Sequence, residues 1–121
     1  MDAAAILAEI KAEFPGRPIV CLPPERPTEI VVEIERTTKQ SVAIAFLERS
    51  RPHGHHHTTE EYVVERGVLR VHLDKAHRTL STGESITISP HCVHWAESVG
   101  APARVRVTAT PPWTPEDHIL V

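Results

Sequence analysis

The sequence predicts an all-β sandwich or barrel preceded by one short helix, and three observations predict it. From residue 29 onward the chain breaks into short runs that alternate apolar and polar side chains. Turn-forming residues separate these runs at intervals too short for helices. Ahead of residue 29 the pattern is different, with a helical run followed by a proline-rich stretch.

Residues 2–14 read as the helix. Asp2 can cap its first turn, Ile6, Leu7, Ile10 and Phe14 share a face, and Pro15-Gly16 stops it. Residues 15–28 (PGRPIVCLPPERPT) form an extended arm over the surface, so residues 1–28 are expected to precede a β-domain spanning 29–121. In the first strand, Glu29–Arg36, Ile30, Val32 and Ile34 alternate with Glu33 and Glu35. Ser41–Glu48 is apolar enough to be buried. Tyr62–Glu65 and Val68–Leu73 flank Gly67, and the second sets Leu69, Val71 and Leu73 against Arg70 and His72. Asp74-Lys75-Ala76 suits a hairpin turn. Ser85–Ser89 alternates Ile86 and Ile88 with hydroxyls, and Val105, Val107 and Ala109 alternate with Arg104 and Arg106. The tail, PPWTPEDHILV, crosses the outside before a short final strand. There is no repeat and no sign of a second domain.

Composition narrows the function. A chain of 121 residues suits one domain with one core. Net charge is −3, and the basic residues Arg66, Arg70, Arg104 and Arg106 are scattered without neighbouring aromatics, which argues against a nucleic-acid partner. The first residues lack the basic start of a secretion signal, and no apolar run is long enough for a membrane span. The expectation is a cytoplasmic protein with Cys21 and Cys92 as reduced thiols. Nine histidines are the oddity, and four of them fall within residues 53–57.

That cluster, His53-Gly54-His55-His56-His57-Thr58-Thr59-Glu60, carries the chemistry. On an extended chain residues two apart point the same way, so His53 and His55 present their imidazoles side by side. Glu60 opens the next run and can turn back to face them. Two imidazoles and a carboxylate suit one divalent transition metal ion, such as Fe, Mn, Zn, Ni or Co, better than Ca or Mg. His94, which follows a strand and a turn, is the natural fourth ligand. A second register, His55, His57 and Glu61, reads as H-x-H-x-x-x-E and leaves His57 as the alternate ligand.

Residues 53–67 resemble the first cupin motif, with His53, His55, Glu60 and Gly67 at the matching places. Four residues separate His55 from Glu60 and six separate Glu60 from Gly67; the second register leaves five and fits less well. Residues 83–94 resemble the second motif, with Gly83, Pro90 and His94. Three departures stand out: Ser89 replaces a proline, His91 a glycine and Ser98 an asparagine, a residue type this chain lacks altogether. The resemblance implies a jelly-roll cupin β-barrel with a short N-terminal helix, a metal in its mouth and a homodimer. It implies no particular reaction, because cupins serve many. A bidentate oxygen ligand, such as a diol, enediol, keto acid or oxalate-like group, is common at such a metal.

The expectation is therefore a metalloenzyme acting on a small oxygenated metabolite, closer to a dioxygenase than to an isomerase, with a non-enzymatic binding module as the alternative. Tyr62, which shares the parity of Glu60, and Glu61 are the candidate catalytic residues, with packing and solvent exposure as their plain readings. His91 and Cys92 read as exposed turn residues, Trp95 as a wall residue, and His72 and Arg70 as a solvent or interface face. Gly67 marks a turn that needs positive φ. His77 and His118 carry no signal.

Overall fold

The computed structural model describes residues 1–121. Helix α1, Ala3–Glu13, begins where Asp2 accepts a hydrogen bond from the Ala5 N–H at 3.1 Å, as its capping position predicts. Eleven strands follow: β1 Ile19–Leu22, β2 Glu29–Arg36, β3 Ser41–Leu47, β4 His53–Gly54, β5 Thr59–Arg66, β6 Leu69–Leu73, β7 Ala76–Leu80, β8 Ser85–Ile88, β9 His94–Ser98, β10 Ala103–Thr110 and β11 Ile119–Leu120. They form a six-stranded sheet in the order β1-β2-β3-β10-β5-β8 and a five-stranded sheet in the order β11-β4-β9-β6-β7. The hydrogen bonding does not close these sheets into a continuous barrel. That corrects the closed barrel expected above; the arrangement is consistent with a jelly roll.

Strand alternation divides the apolar side chains between two cores. Between the sheets lie Ala45 and Leu47 of β3, Tyr62 and Val64 of β5, Leu69 and Val71 of β6, and Val105 of β10, among others. The even-numbered side chains of β2 and β3 (Ile30, Val32, Ile44 and Phe46) point the other way and pack under Ile6 and Ile10 of α1. The helix thus gives the outer face of the six-stranded sheet its own cover. Arg104 fastens it there, reaching Glu9 at 2.7 Å, Glu13 at 2.6 Å and Glu65 at 2.8 Å.

Three strands were not legible. The arm is extended as expected, but β1 within it pairs with β2, Ile19 opposite Val32. Strand β7 pairs with β6, so the turn is Asp74-Lys75 and Ala76 already belongs to the strand. Strand β9 starts at His94 itself. Gly67 takes φ +90, as expected, and its Cα lies where an added Cβ would sit 3.3 Å from Ala103 Cα.

Candidate metal centre

His53, His55, Glu60 and His94 are brought together. Each offers one ligand atom, all four atoms lie within 4.8 Å of one another, and all four residues are buried. Backbone pairing explains the convergence. His53 stands directly opposite His94 where β4 meets β9, which sets their ring centroids 4.2 Å apart. His55 follows one residue beyond β4, its carbonyl accepting from the His91 N–H at 2.6 Å. Glu60 comes from the other sheet, at the start of β5, so the cluster bridges the two layers.

Every imidazole is oriented by the backbone. His53 Nδ1 lies 2.8 Å from the Arg51 carbonyl, His55 Nδ1 2.6 Å from that of Asp117, and His94 Nδ1 3.0 Å from that of Cys92. A carbonyl only accepts, so each Nδ1 carries a hydrogen and each ring is left with Nε2 for the cluster. The Nε2 atoms of His55 and His94 lie 2.9 and 3.0 Å from Glu60 Oε1. Burial alone would raise Glu60, but the hydrogen bonds from His55 and His94 hold its carboxyl well below the usual carboxylate range. Burial, and then His94, press His53 down to about 4. His55 moves up, because the hydrogen bond and charge of Glu60 outweigh its burial.

Two site residues escaped the sequence reading because both come from the tail. Asp117 folds back to accept from the N–H groups of His56 at 2.8 Å, His57 at 3.1 Å and Thr58 at 3.1 Å, and from the Thr58 hydroxyl at 3.0 Å. Its burial works against the charge, yet these bonds draw it down to about 2. One residue therefore holds the histidine loop with its side chain and His55 with its carbonyl. His118 stacks on His53, with centroids 4.5 Å apart and planes at 25°. Burial, and then His55, lower its pKa.

The remaining expectations resolve by position. His57 is exposed and outside the converging atoms, so the second register does not assemble. Glu61 is exposed on the outward face of β5, opposite in direction to Glu60. Tyr62 points inward, its ring centroid 6.1 Å from that of His94, and is held as a phenol by burial and then by Glu60 and Glu29. His91 is exposed and keeps the left-handed backbone of the glycine it replaces, with φ +67. Cys92 is half-buried, beside Asp74. Trp95 is half-buried and stacks on His72 at 3.9 Å, beneath Arg49.

Glu29, the first residue of β2, is a third residue that the sequence does not announce. It lies on the inward face of β2, and burial followed by the charge of Glu60 raises it to about 7. The apolar alternation of Ile30, Val32 and Ile34 hid it, since those residues face α1 and turn Glu29 towards the other sheet.

Two facing sheets with three buried imidazoles and one buried carboxylate gathered between them define a small β-protein whose cluster could hold a metal ion. The chain belongs to the cupin family, and the cupin domain profile matches residues 44–109. No curated protein matches it by sequence. Among solved structures it is similar to KdgF from Halomonas sp., with 20% identity, 71% of this chain and 82% of that one covered, and a TM-score of 0.66. It is also similar to the nucleoside dehydratase Pac13 of Streptomyces, with 14% identity, 78% of each chain covered and a TM-score of 0.71. An RmlC-like cupin from Shewanella frigidimarina matches at 16% identity over 79% of this chain and 85% of that one, with a TM-score of 0.67. Identities this low establish the shared fold and leave the reaction open.

Proposed function

We propose that His53, His55 and His94, through Nε2, and Glu60, through its carboxylate, hold one divalent transition metal ion, and that the protein is a metalloenzyme acting on a small oxygenated metabolite. The observation that carries this is the shared orientation of the three rings. Each Nδ1 is committed to a backbone carbonyl, which leaves three Nε2 atoms and one carboxylate buried within reach of a single ion. Nitrogen and oxygen donors in this ratio suit Fe, Mn, Zn or Ni. Four protein ligands leave a five- or six-coordinate ion with room for substrate, and such an ion supplies Lewis-acid polarisation of a bound oxygen atom.

The chain's own residues supply the rest. Tyr62, on the inward face of β5, is placed to donate a hydrogen bond to a bound oxygen, and Glu29, on the inward face of β2 in the same sheet, to accept one. Glu61 points away, so proton handling falls to the inward pair. Few acid–base groups fit oxidative cleavage better than isomerisation. The reading extends to a cytoplasmic homodimer. Support for the dimer comes from the edge strand β1, which presents Val20 and Leu22 at 51% and 45% exposure.

Oxygen uptake by the Fe(II)-loaded protein, measured across diketones, catechols and thiols, is the test. Uptake above that of the metal-free protein with at least one class is expected. A second reading, a metal-anchored binding module without turnover, draws on the mainly aliphatic lining between the sheets. Absence of uptake and of turnover with every metal tried would favour it.

A further inference from the structure

No lysine or arginine is among the buried side chains of the two sheets. Glu29 stands opposite Leu47 of β3, a member of the core between the sheets, and Val31, two residues further along β2, packs on that same core. Its carboxylate and the Tyr62 hydroxyl make no hydrogen bond within the chain. No sealed side-chain oxygen or nitrogen lacks a partner, so both groups must reach open space. Every lysine and arginine is exposed except Arg70 and Arg104. Those two are held on outward faces, Arg70 beside Thr79 and Arg104 among Glu9, Glu13 and Glu65.

A ligand bound at the cluster therefore meets, besides the ion, two carboxylates of the six-stranded sheet, Glu60 on β5 and Glu29 on β2, with no buried guanidinium or ammonium to add to the ion's positive charge. A carboxylate or phosphate ligand would lie against Glu29 in a water-poor space, where like charges repel more strongly than in bulk water. A hydroxyl suits the same surroundings: it can donate to Glu29 and accept from Tyr62. A carboxylate left unpaired on a largely apolar wall also costs stability, which is the pattern of a residue kept for binding.

We propose that Glu29 is a specificity-determining residue that makes this a site for an uncharged, hydroxyl-bearing ligand, such as a vicinal diol, and turns away dicarboxylates and phosphates. This rests on the reading that the cluster holds a metal, and the experiment separates the two. Wild type and Glu29→Gln are loaded with Co(II), their cobalt content is measured, and each is titrated with oxalate and with ribose in mildly alkaline buffer. Oxalate is followed by calorimetry, and ribose by paramagnetic broadening of its proton signals. Oxalate should bind at least about tenfold more tightly to Glu29→Gln, while ribose is broadened by wild type and less by the variant. Cobalt absent from the wild type would overturn the metal reading and this inference with it. Cobalt present with equal oxalate affinities, or with ribose broadened by neither protein, would overturn this inference alone. If Glu29→Gln fails to fold, Glu29→Ala replaces it with the same expectations.

Discussion

At the scale of single residues, position relative to the cluster separates ligands from their neighbours. His53 and His55 face inward by strand parity, whereas His56 and His57 lie exposed on the loop that follows. This much was legible, because two-residue spacing and the return to Glu60 are properties of an extended chain. Asp117 was not legible, because it acts only once the tail has folded back across 60 residues of sequence to His57. Its role leads to a prediction. Asp117→Ala orphans three backbone N–H groups and one hydroxyl, so it should cost about 2–3 kcal/mol in chemical denaturation and weaken metal binding by freeing the loop that carries His55. Unchanged stability together with unchanged affinity would show that the loop holds itself. Acid acts on the same contact. The native carboxyl titrates below its usual value, so its contribution is fully present above pH 3.8 and is lost as pH falls towards about 2.

At the scale of elements, α1 explains why β2 reads backwards from sequence. Alternation in Glu29–Arg36 correctly separates two faces, but the apolar one packs under Ile6 and Ile10, leaving Glu29 inside. No sequence pattern says which of two apolar surfaces a strand will meet. Ile10 is fully buried in this second core, so Ile10→Ala should destabilise the protein by about 2–4 kcal/mol, read from the urea midpoint. A loss below 1 kcal/mol, on the order of a surface change, would mean that the helix is not docked as described. Glu29 has its own signature in the metal-free protein. Its pKa rises from 4.5 to about 7 on folding, so between those values the native state binds more protons than the unfolded chain. Stability then falls as pH rises through that window, by on the order of 2–3 kcal/mol, and Glu29→Gln should remove that slope. Parallel pH profiles for the two proteins would contradict the burial of Glu29. Strands β1 and β7 were missed for a simpler reason. The first is masked by flanking prolines, and the second is exposed at Ala76–Thr79, without an apolar face to announce it.

At the scale of the whole molecule, the six-stranded sheet, fastened to its helix by Arg104, supplies Glu60, Tyr62 and Glu29, while the imidazoles come from β4, β9 and the loop after β4. The site exists only when both sheets are in register. Its ligands could be read from spacing, but its inner wall and its rim at Asp117 and His118 could not, since those depend on how distant elements fold together. Metal binding should therefore stabilise the entire fold, because only the native arrangement offers all four ligands at once. The most direct test is elemental analysis of the protein purified without chelators, with His53→Ala, His94→Ala and His56→Ala alongside. Close to one equivalent of a transition metal is expected in the wild type and in His56→Ala, and little in the other two. Stoichiometric metal retained by folded His53→Ala and His94→Ala, or a wild type that takes up no added metal, would contradict this expectation.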